Sequence, residues 1–342
     1  MQEYLYNLAT DKSQGPISEI IKFLLFILSW IYGLAVRVLI LLYSFTARRL
    51  TCKVISVGNI TLGGTGKTSL VEYLARHLKE QGHQVAILSR GYKSGDEPYM
   101  LAKNLGNIPV IVDSQRMKAA GRAIKEYGVD TVILDDAFQQ WGMIKDLEIV
   151  TIDATNPFGN RQLLPRGILR EPLKSLKRAD IFILTKTNLG GNTAQIRQYL
   201  AKINPRAEIW ESLHQAIGFY KFIRRLEFLK PESLKGKTVT LFSGIGDPLS
   251  FENLVSGLGI KIGLTFRFRD HHNYTPRDLE NIYRDSHAKG IETIMTTEKD
   301  AARIYQRPQL KVGGGGLLVL KIAIEIKDEQ RFHNRLHSLY SL

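Results

Sequence analysis

Hydrophobic positions divide the chain into an apolar beginning, a middle of short buried-type runs, and a more mixed end. Residues 17–47 are apolar with few interruptions, and 23–36 carry no charge. From residue 51 the pattern becomes short β-branched runs, at 84–89, 109–112, 131–134, 148–152 and 180–184, separated by helix-length segments such as 114–127. Continuous apolar strands alternating with helices predict a parallel sheet covered by helices on both faces. Further on, 209–222 reads as strand-rich connector. Runs at 238–243, 261–268, 291–296 and 317–326, interleaved with helical patterns at 276–289 and 330–340, predict a second sheet. The expected organisation is an apolar helix in 1–50, a main domain in 51–205, a connector in 206–230 and a smaller α/β domain in 231–342. Glycines 313–316 read as a flexible loop.

The first segment is long enough to span a bilayer, which takes about 20 apolar residues. Its few polar and small residues, Glu19, Lys22, Ser29, Gly33, Arg37 and Ser44, recur at steps of three, four or seven and so share one narrow helical stripe. Such a helix lies in the membrane interface with its stripe toward water or toward the protein body. That membrane-associated arrangement is the expectation, with a single span as the near alternative and a buried core helix as the third. There is no basic leader or small-residue cleavage pattern of a signal peptide. Arg48, Arg49 and Lys53 follow at once, which favours a cytoplasmic body.

The segment 51–69 carries the main chemical signal. An apolar run leads into Gly58-Asn59-Ile60-Thr61-Leu62-Gly63-Gly64-Thr65-Gly66-Lys67-Thr68-Ser69, which opens directly into a helical pattern. Strand, glycine loop and helix in that order build a phosphate cradle: backbone N–H groups converge on phosphate oxygens at a helix N-terminus. Lys67 would reach the β- and γ-phosphates of a nucleotide, and Thr68 would bind Mg²⁺. Thr61 stands where the usual spacing has glycine, and Gly63 and Gly64 supply the flexibility instead. The run 131–134 ends in Asp135-Asp136, where a P-loop enzyme keeps the carboxylate that orders Mg²⁺; one of the pair also suits a turn cap. The polar loop 89–98 contains Asp96, a carboxylate able to accept a proton from an attacking hydroxyl. The basic loop 157–178 holds Arg161, Arg166, Arg170, Lys174, Lys177 and Arg178 against Glu171 alone, suited to clamping phosphate or to a solvated surface.

Composition narrows the setting. The 342 residues are 44% hydrophobic and 23% charged, a globular balance, and the single cysteine, Cys52, allows neither an internal disulfide nor a zinc site. The net charge of +14 points to an anionic partner: nucleic acid, a phosphorylated substrate or an acidic membrane surface. Interleaved aromatic stacking patches and nucleic-acid-binding signatures are missing, so no nucleic-acid partner is expected. A partition-type ATPase would need lysine just before the glycine pair, where this chain has Leu62.

Across nearly its whole length the chain resembles the tetraacyldisaccharide 4'-kinases, the lipid A 4'-kinases. The resemblance rests on Gly58-Asn59 with residues 63–68, Ser89-Arg90-Gly91-Tyr92, Gly95-Asp96-Glu97-Pro98, Asp135-Asp136-Ala137-Phe138-Gln139, Leu163-Leu164-Pro165 with Leu169-Arg170-Glu171-Pro172, Gly244-Ile245-Gly246-Asp247-Pro248, Asp270-His271-His272 with Tyr274, and Thr297-Glu298-Lys299-Asp300-Ala301. It implies transfer of the ATP γ-phosphoryl group to the 4'-hydroxyl of a tetraacylated glucosamine disaccharide 1-phosphate at the cytoplasmic face of the inner membrane. It also implies Asp96 as general base paired with His271 of the second domain, Arg170 as a phosphate or charge-stabilising group, and Asp135 and Asp136 as organisers of the metal. The nucleotide cradle would be Gly63, Gly64, Thr65, Gly66, Lys67, Thr68 and Ser69. The chain departs from the family pattern at Ser69 (usually proline), at Ala137 and Gln140 (usually glycine and histidine), and at Arg166 and Ile168 (usually alanine and proline), so Gln140 offers no imidazole. Domain closure over both substrates would bring Asp96 and His271 together.

Overall fold

A computed structural model describes residues 8, 11, 13–91, 95–222, 228–307, 310 and 316–341. Of the positions singled out above, Tyr92, residues 223–227 of the connector and Gly313–Gly315 lie outside the described residues.

Helix α1, Pro16–Thr46, comes first. The main domain follows as β1 (Lys53–Gly58), α2 (Lys67–Glu80), β2 (Val85–Ser89), α3 (Asp96–Leu105), β3 (Val110–Val112), α4 (Arg116–Tyr127), β4 (Thr131–Asp135), β5 (Leu147–Asp153), β6 (Ile181–Thr185) and α5 (Thr193–Ile203). The remainder runs β7 (Glu208–Lys221), β8 (Phe228–Leu229), β9 (Thr238–Ser243), α6 (Pro248–Gly257), β10 (Lys261–Arg267), α7 (Pro276–Ala288), β11 (Thr293–Thr297), α8 (Glu298–Tyr305), β12 (Leu317–Ile326) and α9 (Glu329–His337).

The strands form one sheet in the order β10-β9-β11-β12-β7-β6-β5-β1-β4-β2-β3, with β8 on β7. Every pairing is parallel except those of β7 with β12 and β8. Strands β2, β4 and β6 are buried at every residue, which is why they read as unbroken apolar runs with no alternation. Segment 206–230 is more than a connector. The start of β7 lies parallel to β6, from Ile181↔Glu208 to Leu184↔Glu211, and its remainder runs antiparallel to β12, from Ser212↔Ile326 to Lys221↔Leu318. One strand therefore belongs to both halves and fixes their relative placement.

Helix α2 turns Leu70, Val71, Leu74, Ala75 and Leu78 onto one face of the main sheet, where α9 adds Phe332 and Leu336. On the opposite face α4 contributes Ala119, Ala120 and Ala123, and α5 contributes Ile196 and Leu200. Each fully buried Leu or Val stabilises by about 1.5–3 kcal/mol. In the second half, α7 and α8 cover one face and α6 the other. Both halves are thus three-layered, and the carboxyl ends of their parallel strands, where ligands bind in such sheets, meet at one cleft.

Helix α1 is long and apolar enough to cross a membrane. Its inward stripe, Ser18, Lys22, Ser29, Gly33 and Val36, packs on the body, while Phe23 and Trp30 are 63% and 64% exposed among a long series of outward apolar side chains. A buried core helix would not leave such a face uncovered. Of the polar stripe, Lys22, Ser29 and Gly33 turn inward; Glu19, Arg37 and Ser44 stay exposed.

Candidate active site

The loop between β1 and α2 is held at several points before the helix begins. Thr65 Oγ1 shares a 2.8 Å hydrogen bond with Thr151 Oγ1, and Thr185 Oγ1 donates to the Thr65 carbonyl at 3.0 Å. On its other edge Leu62 N donates to Ile168 O and Arg170 N to Ile60 O, each at 2.8 Å. Gly66 caps the helix with φ 80°, a left-handed conformation that favours glycine. Gly63 and Gly64 are exposed, Ser69 is half-buried, and Lys67 and Thr68 occupy the first turn. The first N–H groups of α2 have no intrahelical partners and carry the positive end of the helix dipole, a site that suits phosphate.

Lys67 Nζ lies 3.5 Å from Asp136 Oδ1. Burial lowers the lysine's proton affinity, opposed first by Asp136. Arg170 Nη1 donates to both Asp136 oxygens at 2.9 Å and to Gln139 Oε1 at 3.3 Å. Arg116 donates to the carbonyls of Asp135 and Asp136 and so fixes the turn after β4. Asp135 Oδ1 is buried with no hydrogen-bond partner among the described residues. Burial, and then the charges of Glu97 and Asp136, push its carboxyl up to about 7.

Asp96 is the first residue of α3 and almost wholly buried, so the loop expected at 89–98 becomes helix at the carboxylate itself. His271 Nδ1 stands 3.3 Å from Asp96 Oδ2, and Arg303 Nε donates to the same oxygen at 2.6 Å. The structure therefore brings together, from the two halves, the two residues the sequence analysis paired. His271 has φ 55°, unusual for a non-glycine residue, and its N–H donates to Gly244 O at 3.0 Å. Conformations of this kind concentrate at functional sites. The hydrogen bond to Asp96 raises the imidazole's proton affinity, against the effect of burial.

Arg303 also donates to Asp300 Oδ1 at 2.8 Å; Asp300 is held by Tyr274 Oη at 2.9 Å, Thr297 Oγ1 at 2.7 Å and Gly244 N at 3.0 Å. A second link runs from Thr68 Oγ1 to Glu97 Oε1 at 3.3 Å, with Lys299 of α8 donating to the same oxygen. A third joins Lys186, at the end of β6, to Asp153 at 2.6 Å and Asp247 at 2.7 Å. A Cβ placed on Gly246 would lie 3.6 Å from Gly64 N, so residues 244–248 overhang the phosphate loop.

Sequence reasoning singles out none of Arg303, Lys299, Glu97 and Lys186 as site residues. Lys299 and Arg303 lie four apart in a helix and so share a face, but nothing local marks which surface that face meets. The basic loop is also less open than it reads. Arg170 grips Asp136, Arg178 pairs with Glu171 at 2.9 Å, and Arg166 with Asp11 at 2.6 Å. Gln139 reaches both Arg170 and Glu171, while Gln140 donates its backbone N–H to Ala137 O.

A family profile described as Tetraacyldisaccharide-1-P 4'-kinase matches residues 21–94 and 93–341. Tetraacyldisaccharide 4'-kinase of Halothermothrix orenii is 36% identical, with 96% of this chain and 95% of that protein covered. The enzyme of Desulfatibacillum aliphaticivorans is 34% identical over 96% and 94%. The crystal structure of LpxK from Aquifex aeolicus in complex with ATP superposes with a TM-score of 0.72 at 28% identity, covering 93% of this chain and 99% of that one. With its P-loop, its two α/β halves and these matches along nearly its whole length, the chain belongs to the tetraacyldisaccharide-1-P 4'-kinase family, ATP-using kinases of lipid A biosynthesis.

Proposed function

We propose that the chain moves the γ-phosphoryl group of ATP onto the 4'-hydroxyl of a tetraacylated glucosamine disaccharide 1-phosphate, with Asp96 as the base. The observation that carries this reading is the Asp96–His271 contact between the two halves, beside the phosphate loop. The 4'-oxygen attacks the γ-phosphorus as its proton passes to Asp96, and the bond from phosphorus to the β–γ bridging oxygen breaks to release ADP. Arg303 orients the Asp96 carboxylate, and His271, 43% exposed at its side chain, forms the accessible edge of the pair. A general base of this kind contributes roughly 10²–10⁴-fold. Lys67, the N–H groups of residues 63–69 and Arg170 stabilise charge on the transferring phosphoryl group.

The residues present fit a divalent cation. Asp135 has a buried oxygen with no hydrogen-bond partner among the described residues, and burial together with the charges of Glu97 and Asp136 disfavours its ionised form, which a bound cation would favour. Among the described residues no three His, Cys, Asp or Glu side chains form a ready-made cage. Mg²⁺ fits that pattern, since it is held by one or two carboxylates, phosphates and water. Thr68, Asp135 and Asp136 would hold it, and when bound it supplies charge neutralisation on the phosphates.

The acceptor is a lipid, and α1 supports an interfacial position for the enzyme at the cytoplasmic face of the inner membrane. Inward contacts of α1 extend from Ser18 to Val36, so the helix lies along the body with its apolar face outward, as in-plane anchors do. Purified protein incubated with γ-labelled ATP, Mg²⁺ and the detergent-dispersed tetraacyldisaccharide 1-phosphate tests the reaction. Label on the 4'-oxygen is expected; ATP hydrolysis with an unmodified acceptor would sink the proposal.

A further inference from the structure

Between the apolar helix and the phosphate site lies one stretch of chain, 163–170, and α1 touches it with hydroxyl groups as well as with apolar atoms. Ser29 Oγ accepts from Arg166 N at 2.9 Å, and its one proton faces both Leu163 O at 2.8 Å and Leu25 O of its own helix at 2.9 Å. Tyr32 Oη donates to Arg170 O at 2.8 Å. Gly33 allows the close approach, since a Cβ there would lie 2.6 Å from Leu163 Cδ1. The far edge of the same stretch pairs with the chain entering the phosphate loop, through Arg170 N to Ile60 O and Leu62 N to Ile168 O. Arg170 thus has its carbonyl on the helix and its guanidinium on Asp136, 3.5 Å from Lys67.

We propose that Ser29 and Tyr32 are positioning residues for Arg170, so that seating of α1 on the body and alignment of the phosphate site are a single event. An anchor needs only the outward apolar face. Two inward hydroxyls that bond backbone groups of one loop are what alignment of that loop needs, because the bonds from Arg166 N to Ser29 and from Tyr32 to Arg170 O break whenever the helix lifts away, while Leu163 O keeps its bond from Gly167 N. The helix is then part of the catalytic framework as well as the attachment to lipid. This rests on the phosphate-site role given to Arg170 above.

The test uses the full chain with ATP and detergent-dispersed acceptor. Tyr32→Phe with Ser29→Ala is expected to lower kcat on the order of tenfold, the scale of a misaligned site. KM for the acceptor and partition into anionic phospholipid vesicles should stay as in the wild type. In the Arg170→Ala background the same pair should add almost nothing, since both act through one group. Phe23→Ser with Ile27→Ser, on the outward face, should weaken vesicle binding while kcat in detergent stays unchanged. A wild-type kcat for the Tyr32/Ser29 variant, or a loss that simply adds to that of Arg170→Ala, overturns the proposal. Failure of the kinase reading itself is distinguishable, because the wild-type protein would then give no product.

Discussion

Among single residues, Asp96 is the carboxylate at which the two halves meet. It is buried at the start of α3, gripped by Arg303 at 2.6 Å and approached by His271 at 3.3 Å. The imidazole's proton affinity is raised by the bond to Asp96, so the protonated ring is favoured below the ordinary imidazole value of 6.5 and persists somewhat above it. In the proposed mechanism this pair takes up a proton, and so works only once it has lost one. The acid limb of kcat/KM should therefore fall above pH 6.5, and His271→Gln should move it to lower pH. A limb that stays in place in the variant would remove His271 from the proton chemistry. Asp96 could be named as the base only because Gly95-Asp96-Glu97-Pro98 resembles the family's motif; by itself it was one carboxylate in a polar loop. Arg303 could not, because its partner lies 207 residues away and becomes a neighbour only when the two halves meet.

Turning to elements, the phosphate loop and α2 carry two further expectations. Gly66 adopts φ 80°, and a Cβ there would lie 2.9 Å from His214 Nε2. Gly66→Ala should destabilise by about 1–3 kcal/mol, the range for a residue held in a sparsely populated conformation, and should weaken ATP binding; an unchanged melting curve would contradict the strained turn. At the other end of α2, His77 stacks on His333 of α9 at 3.6 Å between ring centroids, with His337 beside it. Burial, then those two rings, push His77 down to about 4. The unfolded chain binds the extra proton between about pH 6.5 and about pH 4, so stability is full above that window and falls as pH drops through it. The loss should be about 1–3 kcal/mol, and His77→Phe should flatten it, as followed by urea unfolding at several pH values. Strands β2, β4 and β6 were legible as elements because burial on both faces leaves continuous apolar runs. The double membership of β7 was not, since alternation along a strand says nothing about which neighbour it pairs with at each end.

For the whole molecule, the two halves share one sheet through β7 and are tied across the cleft by Arg303 to Asp96, Lys299 to Glu97 and Lys186 to Asp247. Each tie joins a loop or helix start at a strand's carboxyl end to the opposite half, so assembly of the site follows from the topology. The apolar helix sets the third boundary by presenting one uncovered face beside the site. Removing residues 1–45 should release the protein from vesicles or leave it insoluble, measured by flotation; a truncated protein that floats like the full chain would contradict the anchor. The central claim is that phosphoryl transfer depends on a base contributed by the first half at the junction with the second. Single-turnover transfer from ATP to the tetraacyldisaccharide 1-phosphate by Asp96→Asn tests it most directly. A drop of roughly 10² or more with ATP binding retained is expected, whereas near-wild-type transfer would contradict the account.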